Sequence, residues 1–367
     1  MTLSLPPTTS ATNMAARACS EIVATALSDP ALPPAHAFHH VAAELSGQNS
    51  AWVVRSNQTL NSQGGTLSSA WPLLFLDKED QYEKPLFYGL TTDQVATVRS
   101  LTVETGERGI YCNDSEGYAS YWPKSVSPAV PLWLNGNYWC TPYDPASGGE
   151  VQAIILAALE RLYIRGEQGF VYMSAHYQSN WLPPLSANGA VDAAKGMYLL
   201  APAASLDWPK VRLLGAGRSL SDVVEAARLL QHWGVASEIW SCPSYTLLAR
   251  DAHAAERWNL LHPLEPKRRS HLHQCLNCNA APVIAVTGYS QHIAAQIGPY
   301  VGPYAPGYFT ALGAEPAETT QVPGARVDAH WIVVVALKAL ADEGRLPGAR
   351  VKDALKEYEI SNTGPSV

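Results

Sequence analysis

The run RDAHAAERWNLLHPLEP, residues 250–266, lies between two segments that have the composition of strands. The segment before it, 236–242, is ASEIWSC, and the segment after it, 282–287, is PVIAVT. Short apolar runs rich in valine and isoleucine are typical of buried strands. The run therefore stands inside an alternation of strands with other elements, and that alternation decides the fold class.

The alternation continues on both sides of this run. A third strand is predicted at 211–217, VRLLGAG, and the helix VVEAARLLQHW follows it, with Asp222 and Glu225 placed to form a capping box and Gly234 placed to end it. A piece at 196–205, GMYLLAPAAS, is predicted to be hairpin-like. The remaining elements are the helices 290–298 and 329–344 and the strand 308–313. This order predicts an α/β domain over residues 201–367, with a mostly parallel sheet and helices on both faces.

The sequence before residue 201 divides into two parts. Between residues 139 and 200, apolar side chains from Val151 to Tyr163 recur at helical spacing, Gly166 can close that helix, and the strand GFVYMSA follows. We interpret this part as the end of a second α/β domain, followed by a proline-rich linker. Residues 1–138 carry one helical pattern at 15–27, but frequent prolines and polar stretches elsewhere leave their fold undefined.

Composition restricts the classes of function. The 367 residues are enough for about two domains, and their net charge of −7 argues against a dedicated nucleic-acid binder. The one basic cluster, residues 267–269, is interpreted as a solvated loop. No apolar run reaches the ~20 residues that span a bilayer. The six cysteines are scattered rather than framed as in a secreted scaffold, so we expect a reducing, cytoplasmic setting.

Several longer phrases resemble the homodimeric-type pyruvate dehydrogenase, the first, decarboxylating component of that complex. They are CTPYDPASGGEVQAIILAALERLYIRGEQGFVYMSAHY (140–177), KVRLLGAGRSLSDVVEAARLLQHWGVASEIW (210–240), the run 250–266, GYSQHIAAQIGPYV (288–301) and the segment 327–361. The resemblance covers residues 139–360. It implies a transketolase-like C-terminal domain, thiamine diphosphate with Mg²⁺ as cofactor, and oxidative decarboxylation of pyruvate with acetyl transfer to a lipoyl group. It also implies a homodimer or a complementary cofactor-binding subunit, with a lipoyl acyltransferase as a further partner.

The same resemblance implies a catalytic glutamate, because a carboxylate must activate the aminopyrimidine ring of the cofactor. Counting back from Tyr143-Asp144-Pro145 places it near residue 60, where the chain offers only Gln58 and Gln63. The nearest glutamates on the C-terminal side, none in a context like that of the family, are Glu79, Glu83, Glu104 and Glu107. We therefore assign no catalytic, cofactor-binding or metal-binding residue from the sequence.

Four other groups of residues have both a functional and a plain structural interpretation. Gly215-Ala216-Gly217 has the form of a phosphate-binding loop, but Leu220 stands where a third glycine belongs, which favours a tight turn. We interpret the segment with His271, His273, Cys275 and Cys278 as an ordinary surface segment, with zinc binding or redox chemistry as the alternative. We interpret His36, His39 and His40 as solvated histidines or histidines with satisfied hydrogen bonds, with metal binding or acid–base chemistry as the alternative. We expect a structural role, through buried charge pairing that fixes a loop, for His253, Glu256, Arg257 and His262.

Two hypotheses about function remain from the sequence. In the first, the chain is one subunit of a split or shortened pyruvate-dehydrogenase-like enzyme whose cofactor half lies on another polypeptide. In the second, it is a catalytically inactive relative that keeps the C-terminal domain as a dimerisation or interaction module.

Overall fold

The computed structural model describes residues 8–27, 29, 31–55, 82–106, 108–118, 120, 122–179, 182–205, 207–276, 280–302, 308–314 and 327–360. The chain divides into two compact units, and it passes from the first to the second between Gly196 and Met197. Within the described residues, no helix has both the length and the apolar composition to cross a bilayer.

The N-terminal unit is built on a parallel sheet. Its elements are α1 (Ser10–Ala26), α2 (Pro34–Gly47), β1 (Trp52–Arg55), β2 (Leu86–Leu90), α3 (Val95–Glu104), β3 (Arg108–Asn113), α4 (Ala129–Gly136), β4 (Cys140–Tyr143), α5 (Gly148–Leu159), β5 (Gly169–Ser174) and α6 (Ala187–Ala194). The described strands pair in the order β1-β2-β3-β5-β4, and every pairing is parallel. The sequence divides the chain at residue 138, but strands from both sides of that position share this sheet.

Local chemistry explains the central strands of this sheet. Every residue of β3 and β5 is buried, as expected for parallel strands covered on both faces. A π-helical turn, Glu160–Ile164, extends α5, and Gly166 follows at φ +69°, which confirms its place as the end of the helix. Gly169 opens β5 at φ +115°, where an added Cβ would lie 2.5 Å from the Trp139 carbonyl oxygen. The first helix begins earlier than predicted, because the Thr9 side chain caps it by accepting from the Thr12 N–H.

The C-terminal unit contains the predicted α/β alternation. Its elements are β6 (Tyr198–Ala201), β7 (Lys210–Gly215), α7 (Ser219–His232), β8 (Ala236–Ser241), α8 (Tyr245–Leu261), α9 (His271–Leu276), β9 (Val283–Val286), α10 (His292–Ala295), α11 (Gly298–Val301), β10 (Phe309–Leu312), α12 (Ala329–Asp342) and α13 (Ala349–Glu357). The described strands pair in the order β10-β9-β7-β8-β6, with β6 antiparallel and the others parallel. The prediction of a mostly parallel α/β sheet with helices on both faces is confirmed.

The core of this unit follows the two-residue period of its strands. Leu214 of β7 and Ala285 of β9 are register partners and pack in one cluster with Tyr245 and Leu248 of α8. Leu213 and Ile284 precede them in the same register and are also fully buried. Because successive side chains of a strand point to opposite faces, these two line the other face of the sheet.

Two local predictions about this unit are wrong. The helix α7 begins at Ser219, so Asp222 lies within its first turn instead of capping it, and Glu225 bonds Arg228 at 2.6 and 2.8 Å. The hairpin-like piece is instead a single edge strand, β6, which pairs with β8. The predicted end at Gly234 is confirmed by its φ of +69°.

Candidate functional site

The carboxyl ends of the N-terminal strands meet at one edge of the sheet, which we call the carboxyl edge. Thr91 follows β2, Asp114 follows β3, Asp144 follows β4 and Tyr177 lies beyond β5. In open parallel sheets, the crevice outside the carboxyl ends of the strands is the usual place for a ligand. This edge is therefore the candidate site of the N-terminal unit.

The Asp114 carboxylate joins three elements at this edge. It accepts a hydrogen bond from the Thr91 hydroxyl, one from the Tyr177 hydroxyl at 2.5 Å, and one from His39 Nε2 on α2 at 3.0 Å. Burial would raise the pKa of Asp114, but these three hydrogen bonds outweigh it and hold the pKa below its usual range. Burial and the Asp114 carboxylate raise the pKa of Tyr177. Asp114 thus remains ionised and holds α2 against the strand ends.

The three histidines of α2 have different positions. His39 joins the Asp114 cluster, and its ring lies 6.4 Å from that of Tyr177. His36 and His40 are exposed, and the His36 ring meets the edge of Tyr177 with centroids 5.1 Å apart. Within the described residues, no group of three His, Cys, Asp or Glu side chains is arranged to hold a metal ion.

A second polar cluster at the carboxyl edge centres on Lys124. Its buried ammonium donates to Glu116 at 2.6 Å and to Asp144 at 2.9 Å. Lys124 and Ser125 both have left-handed backbones, at φ +54° and +55°, which non-glycine residues rarely adopt. The Ser125 hydroxyl donates to the Tyr118 carbonyl oxygen at 2.5 Å. The ion pairs and this hydrogen bond hold the strained segment in place.

One ammonium between two carboxylates leaves an excess negative charge in this cluster. Burial would lower the pKa of Lys124, but Asp144 and Glu116 outweigh it and raise the pKa, so Lys124 stays charged. Burial raises the pKa of Asp144 to about 6, because the Lys124 charge only partly offsets burial and the Glu116 carboxylate adds repulsion. The cluster approaches neutrality when Asp144 keeps its proton.

The described acids at this edge do not fit the cofactor that the sequence resemblance implies. A carboxylate for a thiamine ring needs an oxygen directed at the ligand, whereas Asp114, Glu116 and Asp144 are held in the two clusters. Glu150 is fully buried and accepts from the Ala146 N–H at 2.6 Å. Asp93, which precedes α3, is partly exposed.

The glutamates considered in the sequence are placed elsewhere. Glu83 pairs at 2.8 Å with Arg108, the first residue of β3, and Glu104 ends the helix that leads into β3, so both lie toward the amino edge of the sheet. Gln58, Gln63, Glu79 and Glu107 lie outside the described residues, as does the position near residue 60. Neither Glu83 nor Glu104 therefore lies at the carboxyl edge.

The sequence did not identify Asp114 or Lys124. The pattern that could have indicated Asp114 is the apolar segment RGIYCN, which the aspartate follows directly. Around Lys124 the sequence offers only the phrase WPKS. An acid directly after a buried parallel strand is a recognisable sign of a carboxyl edge. The strand itself went unrecognised among the surrounding prolines and aromatic residues.

In the C-terminal unit, the glycine turn has a packing role. An added Cβ on Gly215 would lie 2.9 Å from the Leu220 Cα atom, because α7 packs directly on the turn. Gly217 has φ +51°, a backbone that favours glycine. These contacts support the interpretation as a tight strand-to-helix turn.

His271 is held by hydrogen bonds within the fold. Its Nε2 lies 2.8 Å from the Met197 carbonyl oxygen, its backbone N–H donates to Asp251 at 2.6 Å, and Cys275 Sγ lies 3.6 Å from the same Nε2. Burial and the nearby Arg269 lower the pKa of His273. Cys278 lies outside the described residues, and no disulfide joins two of the described cysteines.

The run 250–266 is fixed in a different way from the one predicted. Glu256, Arg257 and His253 are exposed, so the expected buried charge pairing is wrong. Asn259 instead bonds the backbone of Arg268, and Trp258 stacks with His262 at a centroid separation of 3.6 Å. Amide hydrogen bonds and ring stacking hold this turn.

Comparison with known proteins extends the sequence resemblance. The family model of the transketolase-like TK C-terminal domain matches residues 196–303. The pyruvate dehydrogenase E1 component of Cupriavidus necator is 36% identical over 234 residues, which is 62% of this chain and 26% of that protein. The E1 component of Pseudomonas aeruginosa is 36% identical over 225 residues, 60% of this chain and 25% of that protein. The chain thus matches about a quarter of the length of these relatives.

Solved structures have a similar α/β fold. A split gene transketolase, an inactive β4 tetramer, has a TM-score of 0.54 at 14% identity and covers 84% of this chain and 98% of its own. The transketolase of Leishmania mexicana has a TM-score of 0.53 at 15% identity, covering 96% of this chain and 50% of its own. At these identities the likeness concerns the fold alone. Residues 196–303 thus match a transketolase-like C-terminal domain, and over about 60% of its length the chain is similar in sequence to part of the pyruvate dehydrogenase E1 component.

Proposed function

We propose that this chain is one subunit of a split, pyruvate-dehydrogenase-like enzyme that uses thiamine diphosphate and Mg²⁺. The reaction would be the oxidative decarboxylation of pyruvate with acetyl transfer to a lipoyl group, with a lipoyl acyltransferase as the acceptor partner. The observation that carries the proposal is sequence similarity to the pyruvate dehydrogenase E1 component in a chain whose α/β fold is similar to that of a split gene transketolase.

The carboxyl edge explains why a second polypeptide is part of the proposal. Asp114 accepts three hydrogen bonds, and Glu116 and Asp144 share the Lys124 ammonium. These groups stabilise the edge, and each of the three carboxylates already has a hydrogen bond or ion pair within the chain. We therefore place the diphosphate and Mg²⁺ contacts, together with the activating carboxylate, on a complementary cofactor-binding subunit in a cytoplasmic assembly. A homodimer of this chain would form the scaffold of that assembly.

Reconstitution tests this proposal. The complementary polypeptide is the Cupriavidus necator E1 component shortened to remove the segment that this chain matches. With thiamine diphosphate, Mg²⁺ and pyruvate, reduction of an artificial electron acceptor is expected from the mixture and from neither polypeptide alone. The intact Cupriavidus necator protein is the positive control. Turnover by this chain alone would contradict the proposal, because it would require a complete site within the chain.

A second function, that of an inactive interaction module, is favoured by the same closed clusters. It predicts that cofactor binds neither to the chain nor to the mixture, although the two polypeptides still associate. Sedimentation of the mixture, with and without thiamine diphosphate, separates this outcome from a failure to associate.

A further inference from the structure

Three leucines near the end of α8 are unusually exposed. The exposed fraction of the residue is 99% for Leu264, 79% for Leu260 and 59% for Leu261. They lie within five successive positions, at the end of α8 and in the turn that follows it. Contiguous exposed apolar surface on a folded protein commonly marks an interaction site. We call residues 256–269, which carry these leucines, the leucine turn.

The leucine turn is held rigidly. The His262 ring stacks on Trp258 with centroids 3.6 Å apart, and the Arg268 guanidinium carbon lies 3.2 Å from the Trp258 ring centroid. Two groups this close to one ring centre cannot share a face, so Trp258 is sandwiched between them. Asn259 closes the turn by accepting from the Arg268 N–H at 2.8 Å and donating to the Arg268 carbonyl oxygen at 3.0 Å.

This rigidity matters for binding. A loop that is ordered before it meets a partner loses little conformational entropy on association. The backbone that carries these leucines is held by the Trp258 sandwich and by the hydrogen bonds of Asn259. The turn is thus a preorganised apolar surface and not a flexible end of the helix.

The charges of the leucine turn indicate the sign of the charge that its partner carries. It carries four cations, Arg257, Lys267, Arg268 and Arg269, against two anions, Glu256 and Glu265, for a net charge of +2. The whole chain carries −7. A second copy packing the same surface against itself would bring the cations at 267–269 toward like charges. An acidic partner meets complementary charge instead.

We propose that the leucine turn docks an acidic amphipathic helix of a partner polypeptide. The apolar face of that helix would cover Leu260, Leu261 and Leu264, and its carboxylates would face Arg257, Lys267 and Arg269. Laying an amphipathic helix on an apolar surface with charged borders is a common mode of recognition. This surface lies in the C-terminal unit, and the inference does not depend on the proposed catalytic function.

A peptide titration tests the docking surface on the full chain. The probe is a fluorescein-labelled synthetic helix with leucines at i, i+3, i+4 and i+7 and glutamates on its other faces. Its counterpart carries lysine in place of each glutamate. Fluorescence anisotropy is expected to show saturable binding of the acidic helix, weakened by added salt, and at least tenfold weaker binding of the basic helix.

Variants of the chain locate the site. Leu264→Asp is expected to weaken binding of the acidic helix about tenfold or more. The double variant Lys267→Glu, Arg269→Glu is expected to weaken it by a similar factor. Leu264 is almost fully exposed, so circular dichroism should show an unchanged fold. Val191→Asp, at an exposed apolar position in the N-terminal unit, is the matched control and should leave binding unchanged.

Three results would overturn the proposal. The first is no binding of the acidic helix, or equal binding of the acidic and basic helices. The second is unchanged binding by Leu264→Asp. The third is a sedimentation experiment in which the wild-type chain self-associates and Leu264→Asp is a monomer, since that would make a second copy the occupant.

Discussion

Lys124 is the residue on which the carboxyl edge most depends. Replacing it with methionine leaves the Glu116 and Asp144 carboxylates buried without their counter-ion, and breaking a buried ion pair in this way costs about 3–5 kcal/mol. Urea unfolding of Lys124→Met should show this loss at neutral pH, and a smaller loss at acid pH, where the carboxyls are protonated. The control is Lys195→Met, which removes an exposed pair with Asp192 and should cost less than about 1 kcal/mol. Equal losses for the two variants would contradict the assignment of Lys124 as the central charge.

The Asp144 carboxyl makes the stability of the fold depend on pH. Because its pKa is raised from 3.8 to about 6 in the folded chain, the folded state binds the proton more tightly than the unfolded state. The resulting stability is fully present below pH 3.8 and is lost as the pH rises through 6. The loss is on the order of 3 kcal/mol.

The variant Asp144→Asn isolates this dependence. Urea unfolding of the wild type and of Asp144→Asn should be compared between pH 4 and pH 7. The wild type is expected to lose stability relative to the variant across this window, because asparagine does not titrate. The lowered pKa of Asp114 gives the free energy of unfolding the opposite pH dependence. That contribution is present in both proteins, so it cancels when their free energies of unfolding are subtracted. A flat difference would show that Asp144 is ionised throughout.

At the level of single residues, the sequence could identify little of this site. His39 meets Asp114 across 75 positions of sequence, and Lys124 meets Asp144 across 20. Such pairs are set by which strand ends become neighbours in the sheet. That arrangement is not encoded in any local pattern around the residues. The glycine turn at 215–217 could be interpreted correctly because its constraint, the close approach of Leu220, is local.

At the scale of elements, Gly117 sets how closely the turn after β3 approaches the segment after β5. An added Cβ on Gly117 would lie 2.5 and 2.6 Å from ring atoms of Tyr177, whose hydroxyl is held by Asp114. Gly117→Ala should therefore destabilise the fold by about 1–3 kcal/mol, because the ring cannot move without weakening that bond.

A double-mutant cycle checks this contact. In a Tyr177→Ala background, Gly117→Ala should lose most of its cost, as measured by urea unfolding. Gly136→Ala is the matched control, since nothing lies within 4 Å of an added Cβ there. An equal cost in both backgrounds would place the origin of the effect in the backbone of Gly117 instead of in the Tyr177 ring.

The elements themselves were predicted unevenly, for physical reasons. The buried strands β7, β8 and β9 are short apolar runs between clear helical patterns, and the sequence identifies each of them. The predicted start of α7 is wrong because aspartate is a common N-cap residue, which favoured Asp222, whereas the helix already begins at Ser219. In the N-terminal unit the sequence identifies β5 but not the other four strands, because stretches rich in proline, glycine and polar residues hide them. Tertiary pairing, not local propensity, makes those segments strands.

At the scale of the whole molecule, the two units have different relations to known proteins. The C-terminal unit carries the matched family domain, whereas the likeness to a split gene transketolase is one of fold alone. The described carboxyl edge of the N-terminal unit is closed by its own ion pairs and hydrogen bonds. We therefore propose that this chain contributes a scaffold and that another polypeptide completes the cofactor site.

The most direct test is a calorimetric titration with thiamine diphosphate in the presence of Mg²⁺. It is carried out on the isolated chain and then on the chain mixed with the shortened Cupriavidus necator polypeptide, with that polypeptide alone as the control. We predict no binding heat from either polypeptide alone and saturable binding by the mixture. Saturable binding by the isolated chain would contradict the account, because a complete cofactor site would then lie within this one polypeptide.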